Sequence, residues 1–266
     1  MGRFCAWLLG LGSLLALSLA VVAKPQAPTV IPPQPRPLNP DGSTVMDEPL
    51  RLMAAARQAF QNVQDYTCVL IKRERMRGQM QADQVISMKV RQQPFSVYLR
   101  WEEPRSLAGQ EACYVAGRNN GMMRVHTTGL VGALGGWVSL DPRDPRVMEN
   151  SRHSITEAGI GNLLERYGTR WEEERRLNVT DARVADFVYN NRPCRRVELI
   201  HPPGGQFTYC RSLLYFDKET HLPIRVENYD WPRAGRGNAA DGELVEVYSY
   251  IDVRVNVGLR DDAFDY

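Results

Sequence analysis

The sequence predicts an α+β protein: an antiparallel sheet of about nine to eleven strands with two amphipathic helices against one face. Three observations carry this. Long stretches alternate apolar and polar residues with a period of two, as half-buried strands do. Only two stretches place apolar residues at helical spacing. Strands and helices do not alternate regularly, so nothing calls for a parallel sheet.

Taken in order, the chain starts with an export pattern. Met1-Gly2-Arg3 supplies one positive charge, and Phe4 to Val22 is apolar apart from small glycines and serines. Val21-Val22-Ala23 before Lys24-Pro25 completes a secretory signal over residues 1–23. The apolar run is about 19 residues, enough to span a bilayer, so cleavage after Ala23 (or Ala20) and retention as an anchor are the two outcomes. Cys5 stands too early to be a lipid-attachment site. Seven prolines between Lys24 and Gly42 make residues 24–42 an extended spacer. Residues 43–266 then read as a single domain.

A helix is expected from Asp47, with Pro49 in its first turn and Leu52, Ala56, Ala59, Phe60 and Val63 on one face. From Tyr66 the period changes to two. Ile86, Met88 and Val90 alternate with polar neighbours, as do Val97, Leu99 and Trp101. Turns fall at Gly78 and Asn119-Asn120-Gly121, with strands over about 111–116 and 122–127. Gly129 to Gly136 breaks the pattern, and Asp141 to Pro145 is turn chemistry. Ser154 and Glu157 form a capping box before a second helix carrying Ile160, Leu163, Leu164, Tyr167 and Trp171. Strands resume over about 179–189, 194–201, 207–217, 222–230 and 243–255.

The 266 residues are 43% hydrophobic and 24% charged, as in ordinary globular proteins, and the net charge of +2 excludes the basic stripe of a nucleic-acid binder. His126, His153, His201 and His221 show no metal-ligand spacing, and no nucleophile motif or phosphate loop is present. Asp141 with Asp144, and Asp261 with Asp262, lack the spacing of a calcium loop. No catalytic residue, metal or cofactor is therefore assigned. Lys72, Arg73, Arg75 and Arg77 end one strand, either to meet acidic headgroups or to guard a sheet edge. Of the four later cysteines, Cys194 and Cys210 flank a hairpin and are the first pairing to expect, leaving Cys68 with Cys113; four thiols are the alternative.

Tyr66 to Arg75, with Pro94 to Leu99, Ser139 to Pro142, Ile155 to Ile160, and Leu222 to Arg225 with Tyr229 to Trp231, resembles an uncharacterised family of exported bacterial proteins, a domain of unknown function, from about Asp47 onward. Phe216-Asp217-Lys218 with Leu222-Pro223, and Tyr248 to Val253 through Asn256, Leu259 and Phe264, are similar to the late strands of the periplasmic lipoprotein-carrier superfamily. That second resemblance implies a half-open barrel, a curled sheet whose helices lid its concave face over acyl chains. Long insertions and the Gly-rich Gly129 to Gly136 depart from that plan.

On this chain Met88, Val97, Leu99, Trp101, Ile224, Val226, Val245 and Val247 would line the concave face, as ligand contacts or simply as core. The resemblance implies a non-enzymatic protein of the periplasm or cell envelope, free or tethered, that binds a lipid or acylated protein, with a membrane surface as a further partner. The rivals are an envelope scaffold with a filled core, and a hydrolase whose site only folding assembles.

Overall fold

A computed structural model describes residues 33–128, 136–203, 207–232 and 242–266. The expected signal, the first part of the spacer and all but the last residue of Gly129 to Gly136 lie outside them. The described residues belong to one compact unit that starts at Pro32. Among them, no helix is long and apolar enough to cross a membrane.

Helix α1 (Asp47–Phe60) leads into a run of antiparallel strands. These are β1 (Asp65–Met76), β2 (Gln79–Met80), β3 (Gln84–Arg91), β4 (Ser96–Glu103), β5 (Glu111–Val115), β6 (Met123–His126) and β7 (Trp137–Leu140). A short helix α2 (Pro145–Met148), a 3₁₀ turn (Ile155–Glu157) and helix α3 (Ile160–Leu177) come next. The chain closes with β8 (Asp181–Tyr189), β9 (Arg192–Ile200), β10 (Arg211–Asp217), β11 (Pro223–Asp230) and β12 (Glu243–Val255).

The twelve strands form one antiparallel sheet in the order β7-β6-β5-β4-β3-β1-β12-β11-β10-β9-β8, with β2 attached to β1. It is not closed into a barrel: β7 and β8 are its two ends. Yet Met123 of β6 and Leu199 of β9 share one core cluster with Ile160, Leu163 and Trp171 of α3. Eleven strands laid flat would span about 50 Å, so reaching one helix from both sides requires the sheet to curl around it. The buried face of α3 supplies the cover, and α1 packs on α3 from outside, with Met53 and Ala56 at the centre of its buried stripe.

Tight contacts seat α3. A Cβ at Gly161 would stand 2.8 Å from the Phe60 ring, and one at Gly168 would collide with the Arg57 guanidinium. Ser154 does cap, but it caps the 3₁₀ turn; the helix proper begins after Gly159, whose φ is +98°. The last turn of α3 ends on Asn178, and Asn178 and Arg36 exchange hydrogen bonds of 2.7 and 2.8 Å that tie residues 33–42 to the helix end. On the outer face the C-terminal residues Phe264 and Tyr266 cover Tyr98 and Cys113, with the Tyr98 and Tyr266 rings stacked 4.5 Å apart.

Three expectations are corrected. None of the four cysteines forms a disulfide; all are buried thiols. Cys194 lies opposite Asp217 whereas Cys210 bonds His201, which puts them at opposite ends of the β9–β10 pair, on the order of 20 Å apart. Cys68 faces the inner core and Cys113 the outer cluster, three strands away, far beyond the reach of a disulfide. The basic strand β1 is central, between β3 and β12, so it guards no edge.

The third correction concerns faces. A register shift leaves Ile224 without a partner between Arg225 and Pro223, and it packs outward with Leu213 and Tyr215. A second shift leaves Val245 unpaired, and beyond it Glu246, Tyr248 and Tyr250 turn inward, so Val247 faces out. A bulge adds one residue and thereby exchanges the faces of the residues beyond it.

Candidate functional site

Alternation along β1 carries Tyr66, Cys68 and Leu70 inward, and the same face then continues with Lys72 and Glu74. On the neighbouring β12, Glu246 lies directly opposite Glu74. The inner face is thus apolar over β3 to β6 and polar where β1, β12 and β11 meet. The segment from Asn150 to Ser154, which α2 and the 3₁₀ turn bracket, crosses this boundary and delivers Ser151, Arg152 and His153 to it.

Glu246 is 1% exposed and fully engaged. It accepts from Asn228 Nδ2 at 2.7 Å, Tyr209 Oη at 2.8 Å, Arg152 Nε at 3.0 Å and His153 Nε2 at 3.0 Å. Burial by itself would raise the carboxyl, but the hydrogen bond and charge of His153 and the hydrogen bonds of Asn228 and Tyr209 outweigh it and hold the group down at about 2. Arg166 Nη1 lies 3.2 Å from His153 Nδ1, so the two ring nitrogens face Arg166 and Glu246 respectively.

Glu74 is held beside it. The Lys72 ammonium is 3.0 Å away, the Arg152 backbone N–H donates at 3.3 Å, and the Tyr248 hydroxyl donates to the same carboxylate. Lys72 Nζ also donates to Ser151 Oγ at 3.1 Å. Burial first, and then the charges of Glu246 and Glu74, push the Tyr248 phenol far above its ordinary range, so it stays a donor.

Between the apolar half of the sheet and the segment over it lies a cavity of about 350 Å³. Its apolar wall includes Leu70, Ile86, Leu99, Ala112, Met123 and Val125; Lys72, Ser151, His153 and Arg166 mark its polar end. A second cavity of about 290 Å³ lies beyond His153, Glu157 and Arg166, which border both, and reaches Glu246, Trp171 and His201. His201 is spoken for: it bonds Glu174 at 3.1 Å and the Tyr209 carbonyl at 2.7 Å, and stacks on Phe207.

Of the eight residues the sequence singled out, Leu99, Trp101 and Val226 line the first cavity. Met88 and Val97 are buried in the same inner core without reaching the cavity wall. Ile224, Val245 and Val247 do not contribute, because the register shifts in β11 and β12 take them off that wall. The sequence shows Lys72 only as a charge at a strand end and His153 only as a histidine without ligand spacing, and it gives no role to Glu74, Arg152, Glu246 or Tyr248. The signal for two of them was present, since Lys72 and Glu74 extend the apolar stripe of Cys68 and Leu70 in phase. Among the described residues, the His153 ring nitrogens meet Glu246, Arg166 and Glu157, none of them a hydroxyl or thiol.

Residues 63–266 match the model of a family described as a protein of unknown function, DUF1571. No curated protein matches the chain. Among solved structures, the lipoprotein LppX of Mycobacterium tuberculosis is similar at 10% identity and a TM-score of 0.47, over 82% of this chain and 100% of that one. An uncharacterized conserved protein from Thermus thermophilus aligns at 8% identity and 0.46, over 83% and 94%. A putative outer membrane lipoprotein-sorting protein domain from Vibrio parahaemolyticus aligns at 14% and 0.38, over 83% and 97%.

Proposed function

The chain belongs to the DUF1571 family of proteins of unknown function, and from its own geometry we propose that it is a non-enzymatic protein of the cell envelope that binds a lipid, or the acyl part of a lipidated protein, between sheet and helix. The observation that carries this reading is the cavity of about 350 Å³ on the inner face. Protein cores close-pack, and voids larger than a water are few. A partly open cavity of this size, walled largely by apolar side chains with a few polar groups among them, has the form of a small-molecule pocket. A scaffold with a filled core has no use for it.

The N-terminal sequence supports the location: residues 1–23 act as an export signal or retained anchor, residues 24–42 as a spacer, and residues 43–266 as the binding domain. The non-catalytic part rests on His153. Both its ring nitrogens are engaged, and among the described residues no nucleophile bonds to it. Native mass spectrometry of the protein purified from the envelope fraction, with extraction of whatever it carries, tests the reading. An acyl compound at one per chain is expected. A protein that comes off lipid-free, and stays so after incubation with envelope lipids, overturns it; turnover of an acyl ester that His153→Ala abolishes overturns the non-catalytic part.

A further inference from the structure

We infer that the cavity takes a single acyl chain whose oxygen-bearing end, free carboxylate or ester, is received by Lys72; this rests on the lipid-binding reading and specifies its ligand. The first argument is size. About 350 Å³ is near the small end of the pocket range of roughly 300 to 1,000 Å³. It accommodates one chain, and the second cavity does not extend it, because Glu246, His153 and Arg166 are bonded together between the two. Two or three acyl chains would each need as much space again.

The second argument is polarity. Leu99, Ala112, Met123, Val125 and Leu140 make an apolar wall, bordered by Gln110 and Glu111, while Lys72, Glu74, Ser151 and His153 cluster by β1 and the segment over it. Among the latter, Lys72 is 8% exposed, so its ammonium is held away from water. An ammonium has three donors. One is directed at Ser151, and the ammonium pairs by charge with Glu74 Oε2 at 3.0 Å, an oxygen that accepts no hydrogen bond; among the described residues the ammonium has no further partner. A buried donor left unmatched is costly, and a ligand oxygen entering the cavity at this end would accept from it. Glu74 does not compete for that place. It is fixed by Tyr248 and the Arg152 backbone, and it holds the Lys72 ammonium in position. The chain's hydrocarbon end would then run along the wall made by β4, β5 and β6.

The test uses the delipidated full chain and three probes: palmitate, palmitoyl-lysophosphatidylcholine and a triacylated lipopeptide. Titration should show one molecule of each single-chain probe per protein, with the lipopeptide at least tenfold weaker. Lys72→Met alone would strand Glu74, so the informative variant is the double substitution Lys72→Met with Glu74→Gln, in which Tyr248 keeps an acceptor. It should weaken both single-chain probes at least tenfold, the loss of one charge-assisted hydrogen bond. Ser151→Asp, on the covering segment, should do the same by capturing the ammonium, and serves if the double variant does not fold. A lipopeptide that binds more tightly than palmitate, or variants that bind palmitate like the wild type, overturns the inference. If none of the probes binds the wild type, the lipid-binding reading itself fails.

Discussion

Glu74 and Glu246 oppose each other across the β1–β12 pair, both nearly removed from solvent. Like charges in that position repel, and each is costly to bury alone. The surrounding donors decide the outcome: Lys72 and Arg152 bring charge, Asn228, Tyr209 and Tyr248 bring hydrogen bonds, and His153 acts on Glu246 through both. For Glu246 the folded-state carboxyl lies at about 2 against an ordinary 4.5. Its value is depressed by folding, so its stabilisation is complete above about pH 4.5 and is lost as the pH falls from there towards 2. That difference corresponds to about 3 kcal/mol. Urea unfolding should therefore show stability dropping across this window. Glu246→Gln should be less stable at neutral pH by about 2 to 3 kcal/mol and should show a much flatter acid limb. A variant with the same acid limb as the wild type would mean that another carboxylate carries the effect.

At the scale of elements, the seat of α3 is the most constrained joint. Its first N–H groups have no side-chain N-cap, and the Ile160 N–H instead donates to the Tyr66 hydroxyl at 2.8 Å. Gly159, at φ +98° and ψ 163°, occupies a region essentially closed to other residues, and a Cβ there would stand 2.8 Å from that same hydroxyl. Gly159→Ala should cost about 2 kcal/mol. Tyr66→Phe, which strands a buried N–H, should cost about 1 to 2 kcal/mol. Because one oxygen is involved in both, the double variant should lose less than the sum, as a denaturant double-mutant cycle will show. This joint also shows what the sequence reveals. The apolar spacing from Ile160 to Trp171 located the helix, and alternation located ten of the twelve strands to within a few residues. The two-residue β2 and four-residue β7 are too short to show a period. Faces were harder to read: the rule of apolar in and polar out made Val245 and Val247 the inner residues of β12, whereas the bulge and the buried network turn Glu246 and Tyr248 in. Register decides contacts between strands, so neither the cysteine pairing nor the meeting of Glu74 with Glu246 could be read along the chain.

For the whole molecule, an unfilled cavity links ligand binding to stability. A ligand that binds only the folded chain at a hundredfold excess over its Kd adds about 2.7 kcal/mol, which for a domain of this size raises Tm by roughly 5 to 10 °C. Delipidated protein should show that rise with palmitate in a thermal melt. Leu99→Trp distinguishes a cavity from a packed core. Leu99 is 9% exposed and faces the void, so a larger ring has space to enter. In a filled core the same substitution would overpack and cost about 1 to 3 kcal/mol. Here the variant should melt at or above the Tm of the delipidated wild type, since the indole regains contacts the void lacks. It should also lose most of the rise with palmitate, because the chain and the ring compete for one volume. Stability and binding would then move in opposite directions in a single variant, a result that a protein whose inner face is only core cannot give.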